Sequence, residues 1–205
     1  MLGYGIPAIP HGLGTFFMNW FPAIIGAYYL EKNILGIYVF CFSISMLLGV
    51  LGDSINRAFT PWLYEQLSQN AKIIVRNRVI LMSCAIALFL VASSLVYYSV
   101  CIYAYSNIFP VSYIQGKDYI HFLILGQLIG AMYLLFIGHI LFRRKTWFMS
   151  IVTIVSVISY LLFLVLYFDA LGVWALVYGF LLSRFIMIIL TIAGSLIWSP
   201  IFGKY

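Results

Sequence analysis

Apolar residues along this chain gather into six long runs, 6–29, 37–58, 79–103, 119–142, 146–168 and 171–197, separated by short polar connections. Each run reaches the ~20 residues that a helix needs to cross the hydrocarbon layer of a bilayer. The pattern predicts an all-α polytopic membrane protein: six transmembrane helices forming one bundle over residues 1–205, with connections too short to hold a separate soluble domain.

Composition points the same way. The chain is 65% hydrophobic and 8% charged, which excludes a soluble domain of this length. A net charge of +6 would fit nucleic-acid binding only if the cations shared one amphipathic face with stacking aromatics, and they do not. They alternate instead. The connection 59–78 holds Lys72, Arg76 and Arg78, the connection 143–145 is Arg143-Arg144-Lys145, and the tail has Lys204. The opposite side has only Lys32 and Lys117, beside Glu31, Asp118 and Asp169. The positive-inside rule then places both termini in the cytoplasm. Tyr28, Tyr29, Tyr97, Tyr98, Tyr103, Tyr119, Tyr167 and Trp174 fall near the expected outer ends, and Trp62, Trp147 and Trp198 near the inner ends, as amphipathic rings do at headgroup level. The opening residues lack the charged leader of a cleavable signal. Cys41, Cys84 and Cys101 lie inside runs at no metal-site or redox spacing.

The first run carries Gly3, Gly5, Pro7, Pro10, Gly12 and Gly14, and then Pro22. These breakers predict kinks in a helix that either lines a wet cavity or packs closely through its small residues. Thr60-Pro61-Trp62 opens a stretch that reads as a helix on the inner surface or as a continuation of the second span. Gly126-x-x-x-Gly130 is a close-packing motif on the fourth span.

Three charged residues fall within runs: Asp53, Arg57 and Arg184. Arg184 is 13 residues from either end of its run, roughly 20 Å deep. A guanidinium there faces a wet groove, a partner or an anion, or is satisfied by helix carbonyls. Its fork suits a phosphate, because it donates paired hydrogen bonds and stays charged. Asp53 and Arg57 have the acid-first i, i+4 spacing of a helical ion pair; the alternative reading has Arg57 meeting an anion from the cytoplasmic leaflet, with Asp53 setting its position or carrying a coupling proton. His11, Asn19 and Asn56 are further candidates for a polar cavity, while Gln127 and His139 read singly as packing residues. No cofactor motif, metal-ligand cluster or catalytic constellation is present in the sequence, so no catalytic or metal residue is expected.

The order of several short passages resembles that of polysaccharide flippases. Tyr4-Gly5-Ile6-Pro7-Ala8-Ile9-Pro10 is similar to the "YGxPxxP" start of a mid-protein helix in those exporters. Ile24-Ile25-Gly26 with Leu35-Gly36-Ile37-Tyr38, Ala58-Phe59-Thr60-Pro61-Trp62-Leu63-Tyr64-Glu65, Arg144-Lys145-Thr146 and Leu171-Gly172-Val173-Trp174-Ala175 follow in the same order. The chain thus resembles the C-terminal half of the Wzx-type O-antigen and polysaccharide exporters, in the multidrug/oligosaccharidyl-lipid/polysaccharide superfamily. Where that family commonly has Asp-Arg, this chain reads Phe21-Pro22-Ala23, so no role of that pair carries over.

The resemblance implies one bundle of a two-bundle transporter in the bacterial inner membrane. Its substrate would be an undecaprenyl-diphosphate-linked oligosaccharide, and its partners that lipid-linked sugar, membrane lipid, and an N-terminal bundle or second chain. It implies no enzyme, cofactor or nucleic acid. Arg184 and Arg57 would offset the diphosphate charge, and Asp53, His11, Asn19 and Asn56 would line the polar cavity. The rival readings are a membrane-embedded glycan polymerase or acyltransferase, and a non-transporting remnant or scaffold.

Overall fold

The structure, a computed structural model, describes residues 9–69 and 73–199. These form α1 (Ile9–Tyr29), α2 (Lys32–Ser68), α3 (Ile73–Asn107), a 3-10 helix (Val111–Gly116), α4 (Lys117–Phe142), α5 (Thr146–Leu171) and α6 (Val173–Trp198), with no strand among the described residues. Gly3, Gly5 and Pro7, most of the Tyr4–Pro10 passage, and Lys72 and Lys204 lie outside them.

Helices α2 to α6 are each long and apolar enough to cross a membrane. The protein is an all-α, multi-pass membrane protein. α1 has 21 residues, but Pro10, His11, Asn19 and Pro22 dilute its apolar run and it is not one of the five. It still runs the length of its neighbour α5: His11 meets Thr153 toward one end and the Tyr29 ring packs on Phe168 at the other.

Side-chain contacts fix the helix directions. Cys41 meets Tyr105 and the Tyr97 hydroxyl donates to the Ile44 carbonyl, so α2 and α3 are antiparallel. Tyr119 packs on Trp174, Gly126 on Phe180 and His139 on Ser199, so α4 and α6 are parallel. Asn19 meets Arg184 and Gly26 faces Leu176, so α1 and α6 are antiparallel. α2, α4 and α6 therefore run one way and α1, α3 and α5 the other, the alternation of a chain that crosses back and forth. Tyr119, Phe122, Trp174 and Tyr178 form an aromatic cluster at one end of the bundle, and Trp147, Phe148 and Trp198 form one at the other, as expected for rings at two interfaces.

α4 is the central helix, packed between α2 and α6 and also against α3; α5 covers α6, and α1 lies on α5. Small residues bring these backbones together. A Cβ on Gly126 would press on the Phe180 ring, and one on Gly130 would touch the Arg184 guanidinium, so both glycines of the motif face α6. A Cβ on Gly52 would overlap the Ala131 side chain across the α2–α4 contact. At the α5–α6 turn Gly172 has φ +55°, where a side chain would be strained, and its N–H closes the turn on the Phe168 carbonyl at 2.7 Å.

Two helices are longer than expected. The second helix runs Lys32–Ser68 rather than 37–58, straight through Pro61, so the Thr60-Pro61 stretch continues the span. Tertiary packing outweighs the missing N–H of the proline: Leu63 and Leu67 join the core, Leu63 reaches Gly138, and Tyr64 packs on Phe142. α3 begins at Ile73 rather than 79, which puts Arg76 and Arg78 on a helix instead of in a loop. α1 likewise continues as helix through Pro22.

The radial pattern is that of a protein in lipid. Leu81, Leu88, Phe89, Leu95 and Val96 on α3, and Leu162, Val165 and Leu166 on α5, are exposed apolar surface. Buried hydroxyls are satisfied within their own helices: Thr153 on Met149, Ser156 on Val152, Ser183 on Phe180 and Thr191 on Met187.

Candidate functional site

Polar residues from four of the helices converge on one groove of about 460 Å³. α1 contributes His11, Thr15 and Asn19; α2 contributes Gly49, Asp53 and Arg57; α4 contributes Gln127, Gly130 and Tyr133; α6 contributes Arg184 and Met187. α4 and α6 form the floor, and α1 and α2 the walls. Five of the six residues singled out from the sequence (Arg184, Arg57, Asp53, His11 and Asn19) line this groove. Asn56 does not; its side-chain oxygen accepts from Thr60 Oγ1 at 3.3 Å, within α2.

Arg184 sits near the middle of α6 and is only 8% exposed. Its Nη2 donates to Asn19 Oδ1 at 3.0 Å, from the midpoint of α1. Its Cζ lies 4.9 Å from the centre of the Phe180 ring, a cation–π contact, and Nη1 reaches Met187 Sδ at 4.0 Å. Among the described residues no carboxylate pairs with it, and its Nε has no hydrogen-bond partner. Of the two readings for a buried Arg, the structure therefore gives a partial one: side chains, not helix carbonyls, hold the fork, and they leave one donor and the full charge unanswered.

Two further unpartnered polar atoms line the same groove, Gln127 Nε2 and Tyr133 Oη. A Cβ on Gly130 would touch the Arg184 guanidinium, and Gln127 and Tyr133 are three residues to either side of Gly130. They thus stand roughly 4.5 Å from it along α4 in each direction. A buried donor without an acceptor is costly, on the order of 1–3 kcal/mol. With two such groups beside a cation whose own Nε also lacks an acceptor, the arrangement can donate to an oxygen-rich anion.

Toward the groove's other end, Arg57 Nε and Nη2 bind Asp53 Oδ2 at 2.9 and 2.8 Å. The expected i, i+4 ion pair is formed and exposed, with Arg57 more open than Asp53. The pair is neutral, so the groove's net charge is that of Arg184. His11 Nδ1 lies 2.6 Å from Thr153 Oγ1 and ties α1 to α5. Replacing Thr153 by the isosteric valine keeps the methyl packing on Gly14 and removes that bond together with the hydroxyl's own bond to the Met149 carbonyl. The expected cost is about 1 kcal/mol, read as a small fall in thermal unfolding midpoint; no fall, or a collapse of the fold, would contradict this role.

Sequence reasoning did not assign Tyr133 or Thr15 to the site and read Gln127 as packing. A lone tyrosine in a span looks like any interfacial or core ring, and only the contact between α4 and α6 reveals which way it faces. Cys41 and Cys101 are buried and Cys84 is exposed, all three free. Among the described residues no group of His, Cys, Asp or Glu is arranged to hold a metal ion.

Fold and groove together define the class: a multi-pass helical bundle with a polar, cation-bearing groove opening among α1, α2, α4 and α6. Comparison with protein families, characterised proteins and solved structures finds no match to this chain.

Proposed function

We propose that this chain forms one bundle of an exporter for undecaprenyl-diphosphate-linked oligosaccharides in the bacterial inner membrane, with both ends of the chain cytoplasmic. The observation that supports this reading is the groove itself: an uncompensated guanidinium midway along α6, with two further unsatisfied polar groups in the same lining. A diphosphate supplies the acceptors that Arg184, Gln127 and Tyr133 lack, while the polyprenyl tail stays in lipid. Arg57 is placed to exchange its bond to Asp53 for a substrate oxygen as the headgroup passes. A second bundle, in the same or another chain, would close the groove and rock against this one, as repeat-built transporters do. The role is carriage, with no covalent step.

The test is binding in nanodiscs. Undecaprenyl-diphosphate-linked sugar is expected to bind on the order of 100-fold more tightly than undecaprenol, because two or more charge-assisted bonds are lost without the diphosphate. Equal affinity for the two lipids would remove the basis of the proposal. Restored surface glycan in an exporter-deficient strain, when this chain is supplied with its partner bundle, is the expected outcome in cells.

A further inference from the structure

Where α2 turns into α3, an open crevice of about 400 Å³ lies between the two helices. Trp62 of α2 forms one wall, and Arg78, Leu81, Met82 and Ala85 of α3 form the other. The four α3 residues are spaced i, i+3, i+4 and i+7, so they share one face of the helix. Arg78 begins an apolar stripe that runs about 10 Å along α3 to Ala85. That is about two-thirds of the ~15 Å hydrocarbon depth of one leaflet.

Depth is fixed from α2. Leu63 reaches Gly138, and Tyr64 packs on Phe142, the last residue of α4. Trp62 therefore stands at the end of the bundle that also holds the Trp147 and Trp198 rings, at headgroup level. From there α3 runs on through Leu81 and Ala85 toward the bilayer interior. The indole packs on the Phe59 ring, centroids 5.5 Å apart, and Phe59 is buried, so core packing holds this wall in place.

Arg78 is exposed and makes no hydrogen bond or ion pair among the described residues. Between Asp53 and Asp118 the sequence has one acid, Glu65, which is not in the lining. Against it stand Lys72, Arg76 and Arg78 around the same turn. α3 also opens with no acid in its first turn, so its positive dipole end adds to their field.

We propose that this crevice binds an anionic phospholipid, its phosphate held by Arg78 and the Trp62 indole N–H, and one acyl chain lying along Leu81, Met82 and Ala85. Charge complementarity selects the occupant. A zwitterionic lipid fills the same stripe but brings its own cation to a surface that already carries Arg76 and Arg78. The single cation in the lining favours a net negative headgroup by about fivefold. The site shares no lining residue with the mid-depth groove and does not depend on the export reading.

Native mass spectrometry of the full chain, titrated with phosphatidylglycerol or phosphatidylcholine of the same acyl length, tests this. Phosphatidylglycerol is expected to bind about fivefold more tightly. Arg78→Gln should reduce that preference to about twofold or less, whereas Lys145→Gln, in the exposed turn between α4 and α5, should leave it unchanged. Ala85→Trp, which fills the chain-binding stripe, should abolish the preference with Arg78 still in place; Ala85→Phe serves the same purpose should the tryptophan variant unfold. Glycerol phosphate, which has a headgroup but no chains, should not compete. Parity between the two lipids in the wild type overturns the proposal. So does an equal loss on Lys145→Gln, which would mean a diffuse basic surface. Displacement by glycerol phosphate, or a stripe-filling variant that folds and keeps the preference, would show that no acyl chain lies in the crevice and overturn it as well.

Discussion

Replacing Arg184 by methionine is expected to leave the bundle folded and to abolish binding of the diphosphate-linked substrate. The reasoning starts from cost. A central Arg is unfavourable in a span by on the order of 2.5–3.5 kcal/mol on insertion scales. What Arg184 recovers from the protein is one bond to Asn19 and a ring face at Phe180. Methionine fills similar length, retains contact with Phe180 and Met187, and removes the buried charge, so the thermal midpoint should stay within a few degrees or rise. Asn19 loses a partner but lines the open groove, where water can replace it. Binding should fall by at least about 100-fold, since the only uncompensated cation in the groove is gone. Arg184→Lys keeps charge but loses the fork, and should recover only part of the affinity. A methionine variant that binds and exports normally would show that the charge is structural. A methionine variant that unfolds would show the same, and Asn19→Leu/Arg184→Met would then test whether the pair holds α1 in place.

The second large effect is steric. Gly52→Ala should destabilise the bundle by about 1–3 kcal/mol, seen as a lower unfolding midpoint and a loss of monodisperse protein. Its Cβ would overlap the Ala131 side chain and come within 3.1 Å of Ala131 Cα. Backbone cannot rotate away as a side-chain tip can, so α2 and α4 must separate. Gly49 shares this interface and closes on Gln127, so the groove would be distorted along with the packing. Ala131→Gly should rescue Gly52→Ala in a double-mutant cycle. Gly36→Ala, with nothing within 4 Å of the added carbon, should be neutral and serves as control. Absence of rescue by Ala131→Gly would refute this account of the contact.

Much of the site was legible because polar groups are scarce in these helices. In a chain this apolar, His11, Asn19, Asp53, Arg57 and Arg184 each stand out against their spans, and burial cost makes such residues seek one another or water. Asn56 was a reasonable inclusion on the same ground, yet it lies one helical step from Arg57, outside the groove's lining, and bonds to Thr60. Thr60-Pro61 read first as a surface helix, since local chemistry favours a start there; the packing of Leu63 and Tyr64 against α4 makes it a continuation of α2. α1 was expected as a sixth apolar span, and its apolarity falls short because the residues that dilute it include two, His11 and Asn19, that face the groove.

The sequence by itself determined that the chain is helical and membrane-embedded and which few residues are chemically exceptional, because transfer out of lipid is a property each residue carries wherever it sits. Only the tertiary structure decided that Gln127 and Tyr133 line the groove with Arg184 and that both glycines of the α4 motif face α6. Those relations are set by how helices rotate about their axes and approach at small residues, and a pair of residues more than a hundred positions apart, such as Asn19 and Arg184, leaves no periodic trace of its meeting in either helix alone.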